Sequence, residues 1–236
     1  MSYRFEGKVR YSEIGEDKCL TLPAILDYFQ DCCTFQSEEI GQGMLAVEER
    51  KRAWVLASWQ VVIDRYPMLG EKIAALTKPY AFKGFTGMRN FVLEGENGER
   101  LAYANSRWIN INTNTGLPAR LTEEDCRGYV LEEPLEMEQV SRKIQLPEEM
   151  TDREPFTVQK HNLDTHHHVN NCQYIRIAAD YLPEDFKIHQ MRAEYKKQAV
   201  LGDVFYPRVH TEPGKVVVAL ETKEGESYAA VEFQAK

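Results

Sequence analysis

No stretch of this 236-residue chain stays apolar for long. The longest candidate, Trp54–Ile63, is broken by Ser58 and Gln60 and falls short of the roughly 20 residues that span a bilayer, so no membrane span is expected. The first ten residues, MSYRFEGKVR, are charged throughout and hold no apolar run. A secretory signal is therefore not expected, and the cytoplasm is the expected compartment. Five cysteines, two of them adjacent at Cys32 and Cys33 and none in Cys-x-x-Cys spacing, suit neither a disulfide framework nor a zinc site; reduced thiols are expected. Basic residues are also in deficit, 29 against 37 acidic for a net charge of −8, which argues against a nucleic-acid partner.

What is present is enough to build a core: 43% of residues are hydrophobic and 11% aromatic, which excludes a disordered chain. The acidic excess is local. Thr122–Glu154 carries eleven acidic residues against Arg127, Arg142, Lys143 and Arg153. Elsewhere the chain is close to neutral, so an acidic partner is not repelled from the clusters Lys8/Arg10, Lys51/Arg52 and Lys196/Lys197.

Periodicity divides the chain into two similar halves. Val9–Tyr11 reads as extended; Thr21-Leu22-Pro23 then opens a helix with Thr21 as cap. Leu22, Ile25, Leu26, Phe29, Cys33 and Ile40 recur at helical spacing until Gly41 closes it. Strands follow at Trp54–Ile63, Lys72–Thr77, Met88–Glu94 and Leu101–Asn112, with a hairpin turn at Glu96-Asn97-Gly98-Glu99. After an acidic segment the order repeats. Phe156–Lys160 is extended, Asn170 and Asn171 cap a helix over Cys172–Leu182, and strands follow near Lys187–Lys197, Val204–His210, Val216–Thr222 and Tyr228–Gln234. Leu69-Gly70-Glu71 matches Leu201-Gly202-Asp203, and Gly98 matches Gly225. The expected fold class is α+β: two pseudo-equivalent units, each one helix followed by an antiparallel meander. The expected boundaries are 1–121 for the first unit, 122–155 for an acidic linker with a helical piece within 122–139, and 156–236 for the second unit.

Chemistry concentrates in His161-Asn162-Leu163-Asp164-Thr165-His166-His167-His168-Val169-Asn170-Asn171, where four of the six histidines lie. Read as extended, Asp164, His166 and His168 point one way and His167 the other. Val169, Asn170 and Asn171 then sit at a helix N-terminus, where free amides favour a developing oxyanion. The corresponding place in the first half, Ile14-Gly15-Glu16-Asp17-Lys18-Cys19-Leu20, has no histidine. Three readings stay open for the histidine run: a metal site, a solvated loop, and general acid/base hydrolysis, the reading favoured here. Leu26, Phe29, Phe35 and Met44 are the candidates to line a hydrophobic channel, and Trp54, Trp59 and Trp108 read as packing residues.

The chain resembles the acyl-acyl carrier protein thioesterases. The resemblance rests on Tyr11-Ser12-Glu13-Ile14-Gly15, Trp54-Val55-Leu56, Ile63-Asp64-Arg65-Tyr66-Pro67, Ala104-Asn105-Ser106-Arg107-Trp108, Asp164 through Asn171 with Tyr174, and Glu194-Tyr195-Lys196-Lys197. It implies a tandem hotdog fold and hydrolysis of the thioester joining a fatty acyl chain to phosphopantetheine on the carrier protein. It also implies no metal or organic cofactor. The family's aspartate, asparagine and histidine fall on Asp164, His166 and His168, so histidine replaces the asparagine. After the Glu-Tyr-Lys-Lys segment, Gln198 and Ala199 stand where relatives carry an acidic residue and, in plants, a cysteine. Ala199 removes a cysteine nucleophile, and Gln198 is left to place a water. The expected partner is the acyl carrier protein, with the thioesterase acting as a monomer (pseudodimer) or homodimer. The rivals are an acyl-coenzyme A thioesterase and a non-catalytic acyl-thioester binding module.

Overall fold

The computed structural model describes residues 3–138 and 140–236. Its contacts divide the chain into two units, Met1–Ala57 with Ile63–Glu138 and Ser58–Val62 with Gln139–Lys236.

In the first unit β1 (Tyr3–Lys8) leads through a single 3-10 turn (Tyr11–Glu13) to α1 (Leu22–Glu39), and α2 (Met44–Arg50) follows. Four strands come next: β2 (Arg52–Ile63), β3 (Lys72–Lys83), β4 (Thr86–Gly95) and β5 (Arg100–Asn112). Their order is β1-β3-β4-β5-β2, antiparallel at β1/β3, β3/β4 and β4/β5. Thr21 caps α1 as expected, its hydroxyl accepting from the Ala24 amide, and Pro23 at the helix start loses no hydrogen bond because that N–H would have had no partner. The helix packs on β1, β3 and β4 and buries Ile25, Leu26, Phe29 and Cys32 almost completely. Truncating one such aromatic costs about 3–5 kcal/mol, so this face holds the unit together.

Three expectations need correction here. Tyr11 lies in the 3-10 turn rather than in a strand, and β1 and α2 were not foreseen. The third strand runs on through Pro79 to Lys83. Proline is tolerated because β1 pairs only with Lys72–Thr77, so the strand is an edge by Pro79, and the register shifts at that point.

The expected linker holds one short helix, α3 (Glu123–Cys126), closed by reciprocal Thr122 and Asp125 bonds. Gln139, the end of the segment expected to be partly helical, lies outside the described residues. Apart from a two-residue strand at Thr151–Asp152, the other described residues of this segment form no helix or strand. Within the first unit the Leu135 amide donates to Asn90 Oδ1 at 2.9 Å and the Glu132 amide to the Pro79 carbonyl at 3.0 Å. Within the second, Ile144 is buried against Val217 and Ala230, and its amide donates to Glu194.

The second unit follows the same plan with shorter pieces: β6 (Thr151–Asp152), β7 (Phe156–Thr157), a 3-10 turn (Lys160–Asn162) and α4 (Asn171–Ala179). Strands β8 (Ile188–Tyr195), β9 (Val204–Glu212), β10 (Lys215–Glu221) and β11 (Ser227–Ala235) complete it. The order is β8-β11-β10-β9-β6, and Ser58–Val62 of β2 pairs antiparallel with β8. α4 packs on β10 and β11.

The repeat holds at the level of single hydrogen bonds. Gly70 and Gly202 both adopt left-handed backbone, φ 87° and 86°, which a side chain would oppose. In one turn the Glu71 amide donates to the Met68 carbonyl; in the other the Asp203 amide donates to the Val200 carbonyl. The hairpins at Gly98 and Gly225 match likewise.

Candidate active site

The loop before α4 is a tight turn, and here the structure departs from the extended reading. Leu163 and Val169 form an isolated bridge. The Asp164 amide donates to the His168 carbonyl at 2.8 Å, and the His167 amide to the Asp164 carbonyl at 3.1 Å. Between them His167 takes left-handed backbone, φ 61°, a region that costs a non-glycine residue about 1–3 kcal/mol. The Asp164 carboxylate offsets this from inside the turn: its Oδ1 accepts the amides of His166 at 2.8 Å and His168 at 3.2 Å. Asp164, His166 and His168 are thus brought together through the backbone rather than by alternation along a strand. Among the described residues, no imidazole donates to Asp164, and its Oδ2 accepts no hydrogen bond.

Asp164 and His168 are half-buried, whereas His166 and His167 are exposed. His168 bridges to Val200, and the Val169 amide donates to the Ala199 carbonyl at 2.8 Å. Those two contacts bring the exposed Gln198 beside the loop. Tyr174 fixes the same segment from below, its hydroxyl accepting the Ala199 amide at 3.0 Å. Tyr195 meets Tyr174 edge-on at 5.7 Å and donates to the Asn171 carbonyl at 3.0 Å. Burial pushes both phenols up from their ordinary range, so they stay neutral and hold the loop to the sheet.

Asn170 caps α4, its Oδ1 accepting from the Cys172 amide at 2.8 Å, and its carbonyl accepts from Gln173. The Asn171 amide has no partner among the described residues. It is an open donor at the positive end of the helix, three residues after His168. Among the described residues, no three His, Cys, Asp or Glu side chains gather closely enough to hold a metal ion.

The first unit builds the same loop 149 residues earlier, counted from Ile14 to Leu163. Ile14 bridges Leu20 as Leu163 bridges Val169, and Cys19 bridges Met68 as His168 bridges Val200. Lys18 takes φ 62° where His167 takes 61°. Asp17 Oδ1 accepts the Cys19 amide at 3.0 Å. By this equivalence Gly15, Asp17, Cys19 and Tyr66 stand where the second unit has Asp164, His166, His168 and Gln198. Burial, then the neighbouring Asp17 and Cys19, push the Tyr66 hydroxyl up.

Leu26 and Phe29, two of the candidates for a hydrophobic channel, are buried and are not among the residues lining the cavity described below. Phe29 is fully buried and stacks on Phe91 at 5.2 Å; Phe35 and Met44 are exposed. The first unit does hold a cavity of about 50 Å³, further along α1, where Cys33 and Ser37 face Arg89 and Tyr129. Trp54 and Trp108 border it, whereas Trp59 is core. Sequence reading missed Arg89 in this role. Its signal was an arginine inside the apolar alternation of a buried strand.

Comparison with known proteins decides the family. Residues 1–129 match the N-terminal domain of acyl-ACP thioesterases and residues 145–235 the C-terminal domain. The chain belongs to the acyl-ACP thioesterase family. The palmitoyl-acyl carrier protein thioesterase of Gossypium hirsutum is 27% identical over 209 residues, covering 80% of this chain and 50% of the relative. Oleoyl-acyl carrier protein thioesterase 1 of Arabidopsis thaliana is 21% identical over 225 residues, 86% of this chain and 62% of the relative. The chain spans about half the length of the first curated relatives it matches. An acyl-ACP thioesterase crystal structure from Bacteroides thetaiotaomicron superposes with TM-score 0.88 at 21% identity, over 99% of this chain and 97% of that one. The 12:0-ACP thioesterase of Umbellularia californica gives 0.88 at 18%, over 100% and 97%. These likenesses establish the fold, α+β with tandem hotdog units.

Proposed function

We propose that the chain hydrolyses fatty acyl-acyl carrier protein thioesters to free fatty acid and carrier protein, ending acyl elongation. Family membership supports the reaction class. The observation that carries the site is the contrast between the two loops: one backbone is built twice, and only the second presents a half-buried carboxylate and imidazole at an open helix amide.

In this reading the His168 imidazole takes a proton from a water that attacks the thioester carbonyl carbon. Asp164 fixes the loop through Oδ1, and its free Oδ2 stabilises the imidazolium that forms. His166 flanks the site and Gln198 helps place the water. The Asn171 amide, with Val169 and Asn170 setting the helix entry, receives the oxyanion. Collapse of the tetrahedral intermediate breaks the carbon–sulfur bond, and the imidazolium returns its proton to the departing phosphopantetheine thiolate. Leu26 and Phe29, being core, stabilise the unit that receives the acyl chain and need not touch it.

The partner is the acidic carrier protein. Lys196 and Lys197 are exposed beside the loop; Lys197 pairs with Glu226 at 2.8 Å, whereas Lys196 stands 3.9 Å from Glu194, which leaves Lys196 the more available cation. Thiol release from matched acyl-carrier-protein and acyl-coenzyme A thioesters tests the proposal. The carrier substrates are expected to be preferred and a D164A/H168A variant to be inactive. Binding of acyl ligands without cleavage of either thioester would instead indicate a binding module.

A further inference from the structure

Within the first unit, Arg89 on β4 is a buried cation, 8% exposed, with no carboxylate partner among the described residues. Both of its side-chain hydrogen bonds leave from one nitrogen: Nη1 donates to Gln36 Oε1 at 2.5 Å and to Thr77 Oγ1 at 2.9 Å. The guanidinium lies 5.4 Å from the centre of the Tyr129 ring. Nε and Nη2, the edge that grips a carboxylate with two parallel bonds, donate to nothing among the described residues. Burying a charge with only neutral partners is costly, and such a charge is ordinarily paired.

The neighbouring acids do not supply the missing anion. Burial pushes the Cys33 thiol up more than Arg89 draws it down, and the same holds for the Tyr129 phenol. Tyr129 instead shares a hydrogen bond with Ser37 at 2.9 Å, and the Ser37 hydroxyl donates to the Cys33 carbonyl at 2.9 Å. The cavity that Arg89 lines holds about 50 Å³, room for a few water-sized groups. Trp54 and Phe82 stack at 5.7 Å beside it, and Trp108 completes an apolar rim.

We infer that this cavity accepts a carboxylate borne on an aliphatic chain. The anion site does not depend on the thioesterase reading. Tryptophan emission is the readout, since Trp54 and Trp108 border the cavity. Two uncleavable ligands of equal length are compared, N-methyldecanamide and the mono-N-methylamide of decanedioic acid. The diacid derivative is expected to bind the wild-type chain at least about tenfold tighter, and R89Q to reduce that preference below about twofold. G87A is a second arm that leaves Arg89 in place. A Cβ there would sit 3.1 Å from Trp54 and 3.2 Å from Phe82, crowding the rim, so affinity for the diacid derivative is expected to fall. Equal or tighter binding of N-methyldecanamide, or a preference that survives R89Q, or full affinity in G87A, would overturn the inference. Failure of the wild-type chain to cleave any acyl-carrier-protein thioester would count against the thioesterase reading and leave this binding result intact.

Discussion

The loops at Ile14–Leu20 and Leu163–Val169 share a bridge, a left-handed residue, an aspartate that accepts from the loop backbone, and a tether to a distant turn, yet only the second carries a half-buried carboxylate and imidazole. The differences are local. Where the second loop has Asp164, the first has Gly15; where it has His168, the first has Cys19. The surrounding sequence adjusts to match. Pro67 stands where Ala199 stands in the other unit, and proline has no N–H to satisfy. Ala199 does have one, and Tyr174 accepts it, whereas Ile25 occupies the position corresponding to Tyr174. At the loop entrance the Arg10 amide donates to the Glu13 carboxylate at 2.8 Å, while the Gln159 amide donates to the Asn162 amide oxygen at 2.8 Å. Geometry is conserved between the units by exchanging the chemical groups that supply each bond.

The comparison breaks most visibly at His168 and Cys19, the paired positions of the proposed site. H168A is expected to lower thioester turnover by about 10²–10⁴-fold, the range for loss of a positioned acid/base group. C19A, at the matching position, should leave turnover within about twofold. Steady-state thiol release on both variants, with circular dichroism to confirm folding, checks the pair.

Next in size is the Tyr174–Ala199 bond. Y174F strands a buried amide, and a loss of about 1–3 kcal/mol in urea denaturation is expected. Adding A199P, which copies Pro67, removes the stranded donor and should recover most of that loss. A double variant as unstable as Y174F would show that the tyrosine matters through packing alone.

Helix capping sharpens the comparison further. N170A removes the bond to the Cys172 amide and is expected to cost about 1 kcal/mol. T21A should cost about as much, because it removes both the long 3.4 Å bond from the Ala24 amide and the 3.1 Å bond that the Thr21 hydroxyl donates to the Glu13 carbonyl. Thermal melts of both variants compare the two caps.

The smallest effect concerns acid. Burial by itself would raise the Glu13 carboxyl, but the Arg10 side chain, the Arg10 amide and the Tyr28 hydroxyl together hold it below the usual carboxylate range. A depressed folded value means the stabilisation is complete above the unfolded carboxylate range and is lost as pH falls through the folded value. Asn162 carries no such charge. Amide exchange in the Arg10–Thr21 segment should therefore quicken as pH falls into the acid range relative to Gln159–Asn170, once intrinsic rates are corrected, and E13Q should remove the difference.

Much of the fold was legible because the relevant forces are local. Thr21-Leu22-Pro23, the spacing of Ile25, Leu26 and Phe29, and Gly70, Gly98, Gly202 and Gly225 each state a cap, a buried face or a left-handed turn. The repeat of units was read from the same glycines. Lys78-Pro79 concealed the second half of β3, since whether proline breaks a strand depends on a neighbour that sequence does not show. The candidate site was legible in its membership but not in its geometry. Alternation placed Asp164, His166 and His168 on one face, whereas the loop turns about the aspartate because a short carboxylate satisfies amides two and four residues on. Arg89 stayed hidden because its significance lies in Gln36, Thr77 and Tyr129, three residues remote in sequence.

The central claim is that one loop design serves twice and only the second copy does chemistry. Single-turnover release of thiol from an acyl-carrier-protein thioester, measured on wild type, H168A and C19A across pH, tests it most directly. The account predicts that H168A loses at least about 100-fold, while C19A overlays the wild type throughout. An H168A variant with wild-type rate and profile, or a C19A variant equally impaired, would contradict it.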